Sequence, residues 1–542
     1  MLLTALGHAG LRVTNGDATL LVDPWFNPEG AFLASWFQYP DNSHLLDDIA
    51  LRRPEAVVIT HEHSDHVDPW FLSTIDPAVT VVIPRYPSPV LRRKVLAGGD
   101  RPIVELDEWA MFEIDGFRLF FVAEPPMNHD SAVVVEAGGH TLVNLNDARP
   151  MPVRLREIRA RLGDQVDMLT LQGAGASWYP MCYDYPEVRK RELSEAKRRA
   201  KLTYCARVVR TLEPAVTLPF AGPPVFLDPA LVRHNAEMDG GCFPDQQQVA
   251  DDLVARGVEG VEVLLPGDRW DPDARMRYPD AEWSGFSFDT REEYVVAYAA
   301  RRSERIASVL ERYPSPTVDL WPEFAAYFER LLAMSTYFSD RIGMRVGFEI
   351  VGPGGGAWAV DFRSGCRGVE ATMGQCAYRY RFESRWLPPL LSGDLPWEDF
   401  LLSLRFEASR DPDRYNDHLL GLLKFADPIA LAAVEQFEIT MATRDDFEVH
   451  SDGRTYRVQR HCPHQGSDLL ETGEVLPGGV LRCLAHHYEF DLATGECVNG
   501  NCVPLSFEPA HAPADISPAP PTSQCDAALD AAGDGTRPRL LR

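Results

Sequence analysis

Two short stretches of this sequence concentrate side chains that bind metals. The first is His61-Glu62-His63-Ser64-Asp65-His66-Val67-Asp68, with three histidines and an aspartate within six residues, directly after the apolar run 56–59. Imidazole nitrogens and carboxylate oxygens on a tight loop can converge on one metal ion, or on two about 3.5 to 4 Å apart. A merely solvated histidine-rich turn is the poorer reading, because unpaired polar groups at the end of a buried strand are costly. The second stretch is His461-Cys462-Pro463-His464-Gln465-Gly466, followed downstream by Cys483-Leu484-Ala485-His486-His487. Thiolates and imidazoles in two such elements suit an iron–sulfur cluster or a structural zinc.

These residues need a scaffold, and the flanking pattern supplies one. Short apolar runs at 10–13, 19–22, 56–59, 80–83, 118–122, 132–136 and 141–144 predict strands, several ending at polar clusters. That is the pattern of an α/β sandwich whose loops carry the reactive side chains. A charged helix is predicted over 191–212 and another over 291–313. Strands at 346–351 and 357–362 flank Pro353-Gly354-Gly355-Gly356, a hairpin turn. The same glycines fit a loose dinucleotide fingerprint, but the residues that follow are strand-like, whereas a phosphate needs a helix N-terminus there. After a strand at 378–382, residues 386–425 read as helical, and a second small β-rich region starts near 437. The expected partition is 1–245, a connector at 246–335, an α+β module at 336–430, a β domain at 436–508 and an Ala/Pro/Asp-rich disordered tail at 509–542.

Composition bounds the partners. The 542 residues imply about three or four domains. With 53 basic and 80 acidic side chains the net charge is −27, which repels phosphate backbones and anionic headgroups and argues against nucleic-acid binding. No apolar run is long enough to span a bilayer, since 419–437 is broken by Lys424, Asp427, Pro428 and Glu435. The start of the chain lacks a secretory signal, so a cytoplasmic location without membrane association is the expectation. Ten cysteines are too few for a disulfide scaffold.

The first stretch carries a His-x-His-x-Asp-His signature and resembles the metallo-β-lactamase fold, an αββα sandwich. The resemblance implies His61, His63, Asp65 and His66 as ligands of a catalytic metal. It also implies His129 within Met127-Asn128-His129-Asp130, and Asp147 within Asn144-Leu145-Asn146-Asp147 as a bridging carboxylate. Leu6-Gly7-His8-Ala9-Gly10 and Val22-Asp23-Pro24 match the opening strands of that superfamily. The last ligand expected of the family, a histidine after a strand, has no direct counterpart; Asp228 and His234 are the candidates, and Glu124 is a further carboxylate. The second stretch resembles a Rieske [2Fe–2S] centre, which implies Cys462 and Cys483 on one iron and His464 and His486 on the other. His487 departs from that pattern, in which a small residue usually stands. The 336–430 segment is similar to a sterol-carrier-like α+β module, with a substrate-binding and a spacer role both open. Trp178, Tyr179, Tyr183 and Tyr185 could line a pocket or pack in a core.

A hydrolase needs Lewis acidity but no electrons, whereas a Rieske cluster is a one-electron carrier. The combination resembles the CMP-N-acetylneuraminate hydroxylase family with its domain order permuted. It implies an iron-dependent monooxygenase acting on a small polar metabolite, with one or two non-haem iron ions, O₂ as co-substrate and an external ferredoxin or reductase as electron donor. Zinc is the alternative metal. A hydrolase with the cluster as redox sensor is the alternative function, and an electron carrier with a degenerate site the third.

Overall fold

Alternating and continuous apolar runs as far as Phe220 fold into two facing sheets. The computed structural model describes residues 1–163, 166–175, 177–443, 445–485, 487–500 and 502–509; the tail expected from 509 onward lies outside them after its first residue. The first sheet contains β1 (Leu2–Gly7), β2 (Gly10–Asn15), β3 (Ala18–Val22), β4 (Ala56–Val58), β5 (Thr80–Pro84) and β6 (Ile103–Leu106). The second contains β7 (Phe112–Ile114), β8 (Phe117–Ala123), β9 (Ser131–Ala137), β10 (His140–Asn144), β11 (Met168–Gln172) and β12 (Val216–Phe220). A hairpin of β13 (Arg269–Asp271) and β14 (Met276–Tyr278) extends the first sheet beyond β1.

The inner faces meet in one core, in which Leu20, Val22, Val58 and Val82 pack with Phe117, Phe121, Val133, Leu142 and Leu218. The outer face of the first sheet is covered by the helices Pro69–Leu72 and Val90–Ala97, through Phe71, Leu72, Leu91 and Val95. The second is covered by Pro152–Leu162, Glu187–Leu212 and Gln246–Ala255, through Leu155, Cys205, Val209 and Leu253. The result is the αββα sandwich expected. Strand β4 pairs in parallel with β3 and β5, and β10 in parallel with β11. The loops that follow β3, β4 and β10, and the turn that precedes β9, carry most of the histidines and carboxylates singled out above.

A third sheet is built from β15 (Arg345–Val351), β16 (Ala357–Asp361), β17 (Gly368–Glu370), β18 (Tyr378–Glu383) and β19 (Phe406–Arg410), in the order β17-β16-β15-β18-β19. The glycine-rich turn closes the antiparallel hairpin β15/β16, with Glu349 opposite Ala357. Helices Arg291–Glu311 and Trp321–Met334, assigned by sequence to a connector, bury Tyr298, Phe324 and Phe328 in the same core as Phe348, Trp358, Tyr380 and Trp397. That core also takes in Trp25, Phe37 and Phe226 from the sandwich, so sandwich and module form one compact unit, Met1–Asp413 with His418–Val434. The 386–425 stretch is not continuously helical. Strand β19 interrupts it, entered at Leu404 with φ +58°, because Phe406 and Ala408 alternate inward and pair with β18.

The second unit comprises Arg414–Asp417 and Glu435–Arg542. Helix Pro428–Thr443 runs through the point where β structure was expected to begin. Among the described residues six short strands follow: β20 (Asp446–Ser451), β21 (Arg454–Gln459), β22 (Gly473–Leu476), β23 (Val480–Cys483), β24 (Glu489–Asp491) and β25 (Phe507–Pro509). In one small sheet β21 lies between β20 and β25, and in the other β23 lies between β22 and β24. Val449, Val458, Leu469, Leu481, Phe490 and Leu505 form their core. No helix among the described residues is long and apolar enough to cross a membrane.

The module is fastened to the sandwich by largely buried charge. Lys94 donates to both carboxylate oxygens of Asp399, at 2.9 and 2.7 Å, and to the Glu62 carbonyl at 2.6 Å. Removing one partner of such a pair strands the other in low dielectric. Asp399→Ala is therefore expected to cost about 3 to 5 kcal/mol, read as a clear fall in the thermal unfolding midpoint. A change within about 0.5 kcal/mol, as at ordinary surface sites, would rule out this fastening role.

Candidate metal centre

Strand β4 ends in Val58, and the chain then turns so that successive side chains face one spot. Asp23, fully buried just past the end of β3, organises that turn. Its carboxylate accepts from the Thr60 amide at 2.8 Å and the Thr60 hydroxyl at 2.6 Å, and pairs with His66 Nδ1 at 2.9 Å. With Nδ1 committed to a carboxylate, His66 offers Nε2 as its ligand atom, the arrangement that orients a metal-binding imidazole. Tyr86 donates to the Thr60 carbonyl at 2.8 Å and shares a 2.6 Å contact with Ser131 Oγ, tying the loop to β9.

The ligand atoms fall into overlapping groups. His61, His63 and Asp130 form one set able to share an ion; His8, Asp65 and His66 form another; Asp23, His61 and His66 form a third. His61 Nε2 lies 2.9 Å from His63 Nδ1 and 3.7 Å from Asp130 Oδ1. Asp147 joins from the loop after β10, 3.3 Å from His66 Nε2 and 4.0 Å from His63 Nδ1, and is held by Gln172. His8 Nε2 stands 2.9 Å from Asp65 Oδ2. The other oxygen of Asp65 and Oδ1 of Asp130 are buried without a hydrogen-bond partner. Buried polar atoms are nearly always satisfied, so convergent nitrogen and oxygen donors with unused lone pairs fit a transition-metal ion. Such a mixed set suits iron or manganese as well as zinc.

The electrostatics agree with that fit. Burial, helped by the neighbouring His66 and His63, holds His61 well below its ordinary pKa and so neutral. Burial works against charge on His66 and His63 as well, but carboxylates outweigh it. Asp147 and Asp65 raise His66 far up, and Glu398, followed by Asp130, brings His63 to about 9. Burial lifts Asp130 to about 7, while Asp65, despite its burial, is held well below the usual carboxylate range by His66 and His8. Protons on two histidines thus supply positive charge that a bound cation would replace.

Among the sequence candidates, the structure brings together His61, His63, Asp65, His66 and Asp147. His129 belongs to none of the three groups. It adopts φ +50°, pairs its Nδ1 with Glu62 at 3.2 Å, and stacks on Tyr86 with ring centroids 4.7 Å apart, while its Nε2 is buried without a hydrogen-bond partner. The same turn leaves its neighbour Asp130 facing His61 and His63. Asp228 pairs with Arg405 at 2.7 Å, the guanidinium that also donates to the Leu33 carbonyl, and belongs to none of the three groups. His234 packs against Phe226 and lines a separate concavity beneath helix Glu187–Leu212. Glu124 is half-buried beside Asp130, its amide donating to the Asp130 carbonyl at 2.8 Å, and desolvation raises its carboxyl to about 8. The tyrosines at 179–185 belong to a packed cluster, with the Tyr183 and Tyr378 hydroxyls in contact and Arg410 over both Tyr179 and Tyr183.

Three residues from the module complete the site, and nothing local in the sequence marks them. Glu398 Oε1 is 3.4 Å from His63 Nε2. Lys424 lies 3.0 Å from Glu398 and 3.7 Å from Glu62, and donates to the Asn128 carbonyl at 2.9 Å. Phe425 covers His129 with centroids 4.6 Å apart.

In the second unit, Cys462 and Cys483 are buried in the same small core. The Cys462 loop is closed by Gly466, at φ +72°, donating to the Cys462 carbonyl at 2.8 Å. His464 Nε2 is 3.3 Å from Asp417, which also accepts from Tyr488 at 3.0 Å. This leaves Nδ1 of His464 as the ligand atom, again the carboxylate–histidine arrangement. Two thiols buried in one core and an oriented imidazole fit an iron–sulfur cluster. His486 lies outside the described residues. His487 sits at φ +63°, a left-handed conformation that suits a small residue better.

A family model for the beta-lactamase superfamily domain matches residues 18–220, and one for the Rieske [2Fe-2S] domain matches 430–507. A protein of Mycolicibacterium smegmatis named as a Rieske 2Fe-2S iron-sulfur protein is 30% identical over 520 residues, covering 92% of this chain and 98% of its own. The cytidine monophosphate-N-acetylneuraminic acid hydroxylase of Cricetulus griseus is 27% identical over 232 residues, 41% of this chain and 39% of that enzyme. Among solved structures, a di-iron β-hydroxylase from Streptomyces venezuelae covers 52% of this chain and 54% of its own, at 17% identity and TM-score 0.36.

A metal ion on His63 Nδ1 must displace the Nδ1 proton of the imidazolium, a charged form that Glu398, facing Nε2, stabilises. Because that proton persists to about pH 9, zinc affinity of the metal-free protein should climb with pH from 6 to 9 and flatten above. In Glu398→Gln the same affinity should be less steep in pH, and roughly 10- to 100-fold changed at pH 7. Chelator-competition titrations measure both, and an unaltered slope in the variant would remove Glu398 from this role.

Proposed function

The chain, a beta-lactamase superfamily domain followed by a Rieske [2Fe-2S] domain, belongs to the family of the mycobacterial Rieske 2Fe-2S iron-sulfur proteins, and from that premise we propose that it is an iron-dependent oxygenase. The observation that carries the reading is the presence, in one chain, of a Rieske domain and a buried nitrogen-and-oxygen donor cluster. Rieske centres work at roughly −150 to +300 mV and carry single electrons; metal-dependent hydrolysis has no use for them. The partial likeness to an enzyme named as a hydroxylase supports the same reaction class. The substrate class in this reading is a small polar metabolite that undergoes hydroxylation or N-oxidation.

His61, His63, Asp65, His66, Asp130 and Asp147 would hold one or two iron ions, with His129 Nε2 as a further donor, and Cys462, Cys483, His464 and His486 would hold the cluster. Iron held there supplies reductive activation of O₂. The chain's own groups do the rest. Asp23 keeps His66 in one tautomer, while Glu62 and Tyr86 fix the His129 ring. Glu398, itself paired with Lys424, holds His63 from the far side, and Phe32 and Phe425 limit water at the histidines. Electrons would come from an external ferredoxin or reductase, since the sequence carries no flavin or nicotinamide fingerprint, and the cytoplasm is the compartment that suits this chemistry. The alternative, a zinc hydrolase with the cluster as redox sensor, draws support from the beta-lactamase superfamily domain alone.

Iron, zinc and acid-labile sulfide per chain, on protein purified anaerobically after growth with iron, test the proposal. About four iron and two sulfide, or about three iron for a mononuclear centre, are expected. About two iron, two sulfide and two zinc, with O₂-independent hydrolysis, would overturn it. His61→Ala should abolish oxygenated product while leaving the cluster's visible absorption intact, and Cys483→Ala should remove that absorption and product formation together.

A further inference from the structure

Helix Glu187–Leu212 and the short helix Val232–Met238 flank a cavity of about 570 Å³. That volume falls in the range of small-molecule sites, roughly 300 to 1,000 Å³. Lys190, Arg191 and Ser194 line it from the first turns of the long helix, and Arg233, His234 and Glu237 from the short one.

Two of these side chains are more than nine-tenths buried, and each keeps a polar atom without a hydrogen-bond partner. Ser194 is 2% exposed and its Oγ is unpaired; His234 is 6% exposed and its Nε2 is unpaired. Buried polar atoms are nearly always satisfied, and a helical serine commonly returns its hydroxyl to the carbonyl one turn back. Ser194 does not. The His234 ring is held by Phe226, with centroids 5.6 Å apart. Burial, with Arg233 and Lys190 close by, brings His234 down to about 4, so a neutral imidazole stands beside two cations.

The basic groups around the cavity are freer than the acidic ones. Among the described residues neither Arg191 nor Arg233 has a carboxylate partner, and Arg233 commits one guanidinium nitrogen to the Ala230 carbonyl. Lys190 lies 3.8 Å from Glu187 on its own helix and 3.4 Å from the Met181 carbonyl. The other acids are engaged elsewhere. Glu237 Oε2 accepts from the Cys242 amide at 3.0 Å, Asp239 pairs with Arg291 at 3.3 Å, and Glu195 lies 3.9 Å from Arg199. The cavity also lies against the N-terminal turns of a 26-residue helix, the end at which negative charge is favoured.

We propose that this cavity is a binding site for a small phosphate-bearing molecule, with the phosphate held by Arg191, Arg233, the Ser194 hydroxyl and His234 Nε2. Guanidinium groups match phosphate oxygens through paired hydrogen bonds. The serine hydroxyl and the imidazole, in the tautomer that carries its proton on Nε2, donate to the oxygens that lie deeper. Three cations and two neutral donors suit a tetrahedral dianion better than a carboxylate, which offers two oxygens and one charge. The rest of the volume takes the organic part of the ligand. This inference uses the lactamase-like sandwich alone, and its test reads binding rather than turnover, so it stands whether or not the oxygenase reading holds.

The test is isothermal titration calorimetry of the full-length, cluster-loaded protein with inorganic phosphate, glycerol 3-phosphate and acetate. Both phosphates should bind saturably at one site per chain, the ester at least as tightly as the free ion, and acetate at least about tenfold more weakly. His61→Ala, which disables the metal centre, should leave these affinities unaltered. Arg191→Gln and Arg233→Gln, both at exposed positions, should each weaken phosphate binding roughly 10- to 100-fold, and Ser194→Ala about tenfold, with circular dichroism unchanged. The proposal would be overturned by no saturable phosphate binding up to about 10 mM, or by affinity unchanged in both arginine variants. Acetate binding as well as phosphate, the ester binding more weakly than the free ion, or loss of binding in His61→Ala would overturn it equally.

Discussion

Burial of charge at the end of β4 is the constraint around which the first unit is arranged. Histidines and carboxylates from the loops after β3, β4 and β10 share one buried volume, where each unpaired charge is costly. The solution is reciprocal pairing. Asp23 answers His66, His8 answers Asp65, and Asp147 stands between His66 and His63. Non-glycine residues in the left-handed region ring this spot: His8, Asp23, His129 and Asn146 all have positive φ. Such conformations cost roughly 1 to 3 kcal/mol each where they persist, and they gather where side chains must be aimed rather than merely packed.

The same constraint gives the module its place. Within the sandwich His63 meets His61 and Asp147, and Glu62 meets His129; the module adds Glu398 against His63 and Lys424 against Glu62. Lys94 and Lys424 then balance the added carboxylates, so closing the site also fastens the module. Arg405 does likewise for Asp228. The choice between spacer and substrate-binding roles that the sequence left open is thereby recast, because the module's polar side chains are part of the wall around the histidines.

Much of the scaffold could be read from the chain, because alternation and continuous apolar runs report directly on which residues face a core. The His61 to His66 cluster was readable for a related reason: its donors are close in sequence, so local geometry suffices. His129 and Asp130 differ by one position, and the positive φ at His129 is what brings the Asp130 carboxylate to His61 and His63. Glu398 and Lys424 reach the site through tertiary packing from far along the chain, and no local pattern encodes that. Residues 386–425 misled as one helical stretch because Trp397 to Leu402 and the later Leu-rich segment are strong helix formers, whereas β19 between them exists only through pairing with β18. In the Rieske unit the ligand spacing was plain, but the carboxylate of Asp417 on His464 was not.

In the proposed reaction, electrons from the iron–sulfur cluster serve a metal held by the histidines and carboxylates. The most direct measurement is the rate at which the fully reduced cluster is re-oxidised on rapid mixing with O₂ in the presence of substrate. It compares protein carrying iron in that site with protein carrying redox-inert zinc there. Fast, product-coupled re-oxidation is expected with iron and slow, product-free re-oxidation with zinc; equal rates in the two forms would show that the cluster's electrons do not pass to that metal.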